Sequence, residues 1–344
     1  MKLLFCGTPE FALPTLRRLH RDGHELVAVI TQPDRPRGRG LKPGPPPLKV
    51  AATELGLRVE QPEKLRGGPG RELLDRFHPE AVIIVGYGEI IPADLLGPEG
   101  SGPHYGWINL HASLLPKYRG AAPVQWALIC GEKTTGVTTI RLDEGLDTGP
   151  ILLQADEPIR EDDTALTLGE RLAERGAALM AETLRRLAAG DLIPRPQDHS
   201  QATKAPLLKK EHGRLDWSLT AVELYNRIRG LLPWPGAYTG FRGKPLHLWW
   251  GKPVETFTPS SSRAEPRGGA EGPPGAVPAF TPSPPEGPAP GMLLVEKPAL
   301  YVACGRGTWL RLEELQPADR KRLRATDFIN GLHVRSGERF ESAI

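Results

Sequence analysis

Two short apolar runs, Lys2–Gly7 (KLLFCG) and Glu25–Thr31 (ELVAVIT), flank a segment, Phe11–Arg21, in which Leu13, Leu16 and Leu19 recur at helical spacing. This strand–helix–strand opening constrains the fold more than any other feature. Two strands joined through a helix run parallel, and the crossover is right-handed because a right-twisted strand feeding a helix packs back onto its sheet only that way. Thr8 is placed to cap the helix and Pro9 to sit in its first turn. A continuous apolar run, Ala81–Val85 (AVIIV), then fits a central parallel strand covered on both faces. Leu48–Leu55 and Gly70–Phe77 read as further helices, Trp107–Leu110 and Thr134–Leu142 as further strands. The expected class is α/β, a Rossmann-like, doubly wound, mostly parallel sheet.

A long helix, Asp163–Ala189, carries Leu168, Leu172, Gly176, Met180, Leu184 and Leu187 in one stripe, with Asp162 or Asp163 as cap and Gly190 as stop. A first domain over residues 1–190 is expected to end there. A Pro-containing connector follows over 191–207, and a second domain over 208–344. After a helix near Ser218–Arg229, the second part is dominated by short strands: Leu246–Trp250, Met292–Glu296, Leu300–Cys304 and Thr308–Leu315. A small, OB-like β-barrel is the expected class. The chain holds 39 glycines and 37 prolines, and many crowd into residues 256–290. That segment is too poor in apolar residues to offset its ordering entropy and is expected to be a disordered loop inside the barrel. Trp234 is expected to pack a turn.

The stretch INLHASLLPKYRG, residues 108–120, starts as a strand and ends as a loop. Asn109 and His111 share one strand face, Leu110 the other. Pro116 and the small residues before it stop the strand, so the pair stands at a carboxyl end, where open parallel sheets bind ligands. Asp143–Gly149 (DEGLDTG) follows the next expected strand, again at a carboxyl end, and can aim Asp147 into the same cleft. Amide, imidazole and carboxylate together suit acyl or proton transfer. The amide and a protonated imidazole donate to an oxyanion, while the carboxylate helps deprotonate a nucleophile. Ser113 lacks the G-x-S-x-G context of a nucleophile, so acyl transfer would be direct.

Net charge is only +3, but residues 31–50 carry five bases (Arg35, Arg37, Arg39, Lys42, Lys49) against one acid, Asp34. A loop over 31–47 rich in Arg, Pro and Gly can contact phosphates or stack on bases. Lys204, Lys209, Lys210, Arg320, Lys321, Arg322 and Arg324 form a second basic set. Cys6, Cys130 and Cys304 are scattered and odd in number, which fits neither a disulfide framework nor a zinc site and suits a cytoplasmic protein. No metal-ligand spacing is present, no apolar run reaches membrane length, and Gly7-Thr8-Pro9-Glu10 lacks the G-x-G-x-x-G of a nicotinamide site.

INLHASLLPKYRG followed by GLDTG resembles the formyltransferases that use 10-formyltetrahydrofolate. FCGTPEFALPTLRRL, TQPDRPRGRG, GYGEIIP, YRGAAPVQWALICGE, LLPWPGAYT and LQPADRKRLRATDFING are similar to the branch of that family acting on methionyl-tRNA. The likeness spans nearly the whole chain except Thr256–Pro290. It implies 10-formyltetrahydrofolate as co-substrate without a metal, methionyl initiator tRNA as partner, and a role in translation initiation. Asn109, His111 and Asp147 would be catalytic. Ser113, Leu114, Leu115, Pro116, Tyr87, Ile90 and Ile91 would contact the folate. Arg35, Arg37, Arg39, Lys42, Lys209 and Lys210 would contact tRNA. A monomer with no membrane association is expected. Gly86, Glu89 and Arg141-Leu142 depart from the family pattern. Rival readings are formylation of a sugar nucleotide or glycinamide ribotide, or a tRNA-binding module with a dead site.

Overall fold

The computed structural model describes residues 1–37, 42–96, 102–254 and 288–341, with backbone alone at 36, 37, 42 and 43. The chain divides into two compact units, Met1–Leu208 and Lys209–Ile344.

The first unit opens with β1 (Lys2–Gly7), α1 (Leu13–Arg21) and β2 (Glu25–Ile30). A short hairpin, β3 (Arg35–Arg37) with β4 (Lys42–Gly44), leads into α2 (Pro47–Glu54), β5 (Val59–Glu60) and α3 (Pro69–Phe77). Then come β6 (Ala81–Val85), α4 (Ala93–Leu96), β7 (Trp107–His111) and α5 (Pro123–Ile129). Last are β8 (Thr134–Arg141), β9 (Ile151–Pro158) and α6 (Ala165–Ala189). The strand order is β5-β2-β1-β6-β7-β8-β9. All pairs through β6–β7 are parallel; β7–β8 and β8–β9 are antiparallel. Strand order reverses between β1 and β6, the usual site of a ligand crevice in an open α/β sheet.

Strict alternation sorts the two cores. Leu3, Phe5, Ile83, Val85, Ile108 and Leu110 face one side, beneath residues of α1, α2 and α6. Leu4, Cys6, Val82, Ile84 and Trp107 face the other, against Leu73 and Leu74 of α3 and Leu95 of α4. Each such buried Leu or Ile contributes about 1.5–3 kcal/mol. The α6 stripe is buried throughout. Its Gly176 lets the helix approach β7 so closely that a Cβ there would stand 2.6 Å from Leu110 Cδ2. That contact clamps β7 from behind and leaves the opposite face of the strand for Asn109 and His111.

Two expected caps are corrected. Thr8 does not cap α1; a 3-10 turn at Glu10–Ala12 intervenes, and the Thr8 hydroxyl donates instead to the Tyr87 carbonyl at 2.9 Å, tying the loops after β1 and β6 together. Thr164, not Asp162 or Asp163, caps α6, in a reciprocal box with Thr167. Asp163 has another task. Only 3% exposed, it accepts from Arg171 Nη1 at 2.6 Å, Arg171 Nη2 at 2.7 Å and the Arg160 backbone N–H at 2.7 Å. Arg171 also donates to Glu157 at 2.9 Å, so the pair bolts α6 to β9. Burial works to raise the Asp163 carboxyl, but the hydrogen bonds from Arg171, Arg160 and Thr167 outweigh it and hold the carboxyl below its usual range. A carboxyl depressed by folding contributes stability that is complete above its unfolded pKa of about 3.9 and is lost as pH falls through the folded value. Urea midpoints should therefore drop below about pH 4, with a shallower acid limb in Asp163→Asn. Arg171→Met, which strands a buried carboxylate, should cost about 3 kcal/mol at pH 7.

In the second unit, α7 (Ala221–Gly230) precedes β10 (Ala237–Phe241) and β11 (Lys244–Val254). β12 (Leu293–Glu296), β13 (Ala299–Ala303), β14 (Trp309–Pro317), β15 (Leu323–Arg324) and α8 (Ala325–Leu332) follow. The antiparallel order is β10-β11-β14-β13-β12, with β15 beside β14. The C-terminal segment closes the two edges: Gly240 and Glu341 exchange backbone bonds, and Phe340 N–H donates to Gly291. Phe340 packs at 5.4 Å from the ring of the buried Trp217. Trp234 does not pack its turn; it is 56% exposed. The segment 256–290 lies, but for 288–290, outside the described residues.

Candidate active site

β7 delivers Asn109 and His111 to one side, as alternation requires, but Asp147 arrives by an unexpected route. β8 is antiparallel to β7, so its carboxyl end (Arg141) lies opposite Ile108, while His111 faces Thr138. The acid loop does follow the carboxyl end of its strand, as expected, but that end points the opposite way along the sheet from the end of β7. The β8–β9 connection instead folds back along β7. Two close approaches fix that return: Gly149 seats against the Arg141 carbonyl with no room for a Cβ, and Arg141 N–H bonds the Pro150 carbonyl at 3.1 Å. Asp147 sits at φ 52°, in the left-handed region, where a non-glycine residue costs about 1–2 kcal/mol.

The result is a shared carboxylate. Asp147 Oδ1 accepts from Asn109 Nδ2 at 3.3 Å; Oδ2 accepts from the Gly120 backbone N–H at 2.8 Å and lies 3.6 Å from His111 Nδ1. His111 is only 6% exposed. Its Nε2 stands 2.9 Å from the Tyr118 carbonyl, which can only accept, so Nε2 carries the proton and Nδ1 is the nitrogen left for Asp147. Tyr118 is also left-handed, at φ 61°. Its hydroxyl donates to Glu132 at 2.8 Å; burial and this bond push the hydroxyl above its usual range, keeping it a donor.

The residues that the resemblance assigns to folate divide. Leu114 and Pro116 line a cavity of about 570 Å³ together with Tyr118, Glu132 and Thr135. Ser113 and Leu115 turn inward: the Ser113 hydroxyl donates to the Lys117 carbonyl at 2.6 Å, and Leu115 packs with Ile140 and Ile151. Tyr87 and Ile91 are buried, whereas Ile90 is 71% exposed. Of the residues assigned to tRNA, Arg35 is exposed and reaches Gln32 at 3.4 Å. Arg37 and Lys42 pair across the β3–β4 hairpin through their backbones, and Arg39 lies outside the described residues. Lys49 is taken by Asp34, at 2.8 Å to both oxygens, and is withdrawn from the basic set. Lys209 and Lys210 are exposed and belong to the second unit. Arg322 is bound to Glu314 and stacks on Trp249 at 4.8 Å.

Sequence reasoning missed Gln197. Buried in the segment read as a connector, its Nε2 donates to the carbonyls of Asp147 (2.8 Å) and Gly149 (2.7 Å), while Oε1 accepts from Arg119. A lone Gln among prolines carries no local signal of such a role. Among the described residues no group of three or more His, Cys, Asp or Glu gathers to hold a metal, and no helix is long and apolar enough to cross a membrane.

Residues 1–184 match the formyl transferase family and residues 207–333 match the formyl transferase C-terminal domain. The chain is 48% identical to the methionyl-tRNA formyltransferase of Solibacter usitatus over 98% of both chains. It is 47% identical to that of Acidobacterium capsulatum over 96% of both. Among solved structures it is similar in fold to the N-formyltransferase of Helicobacter canadensis, at a TM-score of 0.60 and 16% identity over 92% of this chain and 99% of that one. With both parts of the chain matched and near-half identity over almost its entire length, this chain belongs to the formyl transferase family, in the branch of the methionyl-tRNA formyltransferases.

Proposed function

We propose that this protein transfers the formyl group of 10-formyltetrahydrofolate to the α-amino group of methionine carried by initiator tRNA, in the cytoplasm, for the start of translation. The observation that carries the chemistry is the Asp147 carboxylate, held between Asn109, the Gly120 N–H and His111 Nδ1. An α-amine has a pKa of about 8, and esterification of the carboxyl lowers it, so a neutral nucleophile is available near pH 7. Asp147 accepts the proton that the amine loses as it attacks the formyl carbon, directly or through water. Asn109 commits one amide N–H to Asp147 and keeps the second for the developing oxyanion. Asp147 passes the amine's proton to Nδ1 of His111, whose Nε2–H stays on the Tyr118 carbonyl; the imidazolium so formed stabilises the same charge and returns the proton from Nδ1 to the departing folate nitrogen. Attack is direct, since no nucleophilic side chain stands in the constellation. Leu114, Pro116 and Ile90 offer the folate its apolar contacts; the buried Ser113 and Leu115 shape the loop that presents them.

Transfer belongs in this reading to residues 1–190 together with the connector 191–207, whose Gln197 holds the Asp147 loop, and residues 208–344 together with the basic hairpin hold the tRNA, with the protein acting as a monomer. Purified protein should formylate methionyl initiator tRNA and leave an amino sugar nucleotide and glycinamide ribotide untouched; the reverse preference would sink the assignment. Replacing Arg35 and Arg37 by Ala should lower kcat/KM for tRNA about tenfold and flatten its salt dependence, with folate affinity unchanged. An equal loss of folate affinity would remove the hairpin from tRNA contact.

A further inference from the structure

The geometry points to Gln197 as the positioning residue of the reaction: through one amide it sets the Asp147 carboxylate against Asn109 and His111. This rests on the formyl-transfer reading of the Asp147 site.

Every polar atom of the Gln197 side chain is engaged. Nε2 spends both N–H groups on the acid loop, at the Asp147 and Gly149 carbonyls, 2.8 and 2.7 Å away. Oε1 takes Arg119 Nε at 3.2 Å and Nη2 at 2.7 Å. Arg119 immediately precedes Gly120, whose N–H holds the Asp147 carboxylate. The loop after β7 and the loop after β8 are therefore joined twice, at the carboxylate in front and at the Gln197 amide behind. Gln197 is 6% exposed, so water does not compete for these bonds.

The chain around Gln197 is itself fastened to both loops. Arg195 and Ile151 exchange backbone bonds at 2.8 Å each, just beyond the acid loop. Arg119 N–H donates to the Thr203 carbonyl at 2.8 Å, and Ala205 N–H donates to the Arg119 carbonyl at 2.7 Å. Tyr118 N–H bonds the Thr203 hydroxyl at 2.8 Å, and the Tyr118 carbonyl is the partner of His111 Nε2. Residues 195–205 thus form a strap across the backs of both loops, with Gln197 at the point where they meet. The left-handed Asp147 needs such a brace, because a relaxed φ would swing the carboxylate out of reach of Gly120.

Gln197→Met keeps length and apolar volume but removes all four bonds. Gln197→Glu keeps the acceptor for Arg119 and sets an oxygen against two carbonyls. Each is made in the wild-type chain and in Asp147→Asn, and single-turnover formyl transfer to methionyl-tRNA is measured well below the melting temperature. Both changes should slow transfer about 10–100-fold in the wild-type background, with KM for tRNA within threefold. In the Asp147→Asn background the further loss should be under threefold, because the carboxylate being positioned is gone. Equal losses in the two backgrounds, or a lowered melting temperature with an unchanged rate, overturn the role. Should neither variant fold, Arg119→Lys loosens the other end of the clamp and is read in the same cycle against the same criteria. An active wild type with additive losses sinks Gln197 alone; a wild type inert toward every amine acceptor sinks both readings.

Discussion

Replacing Asp147 with asparagine slows single-turnover formyl transfer by about 10³-fold, within the range expected for loss of a general base and a charged neighbour of the oxyanion. The geometry makes this substitution more severe than its size suggests. Oδ1 faces the Asn109 amide and Oδ2 faces both the Gly120 N–H and His111 Nδ1. A carboxylate accepts on both sides, whereas a carboxamide accepts on one and donates on the other. Whichever way the introduced carboxamide turns, its NH2 meets a donor, either Asn109 Nδ2 or the Gly120 N–H. A buried donor left without its acceptor costs about 1–3 kcal/mol, so a modest fall in melting temperature accompanies the kinetic loss. Folate affinity stays near that of the wild type. Rapid-quench measurement on purified protein checks the rate, and an Asp147→Asn variant within tenfold of wild type would remove Asp147 from the chemistry.

Gly149→Ala lowers stability by about 3–5 kcal/mol, at the upper end for a single substitution, because the added carbon collides with main chain and not with a movable side chain. A Cβ at Gly149 would lie within the radius of the Arg141 carbonyl oxygen and 3.3 Å from the Asp143 nitrogen. Arg141 cannot retreat cheaply. It is the last residue of β8, its N–H bonds the Pro150 carbonyl at 3.1 Å, and the next N–H, of Leu142, bonds the Trp107 carbonyl at 2.8 Å. Relief comes only by lifting the acid loop off β7, which carries Asp147 away from Asn109 and breaks the Gln197 bond to the Gly149 carbonyl. Activity therefore falls together with stability, by more than about 100-fold at temperatures where the variant is folded. Urea unfolding and the single-turnover rate read the two effects; a wild-type midpoint with a wild-type rate would mean the loop is free to move, and the whole account of how Asp147 is presented would fall.

Some of the site was written in local pattern. Asn109 and His111 share a face because side chains alternate on a strand, and Leu110 between them is apolar because it meets Gly176 of α6. The stripe Leu168–Leu187 and the AVIIV run announced one covered helix face and one doubly covered strand for the same reason: their periods are properties of a single segment. The acid loop was legible as a turn but its placement was not, since nothing in Thr134–Arg141 distinguishes an antiparallel neighbour of β7 from a parallel one. Short helices fared similarly: α5 and α8 are too brief for a clear period and are held by packing.

By itself, then, the sequence determined which residues face a core, which strand ends in an amide and an imidazole, and how the first helix must cross its sheet. Only the tertiary structure decided that β8 turns back, that His111 gives Nε2 to Tyr118 and keeps Nδ1 for Asp147, and that Gln197 joins the loops after β7 and β8. The division is physical. Strand alternation and helix period repeat within a few residues and leave a trace in composition, whereas a hydrogen bond between residues 50 or 78 apart depends on where two backbones come to rest, and a glutamine that makes one looks like any other until they do.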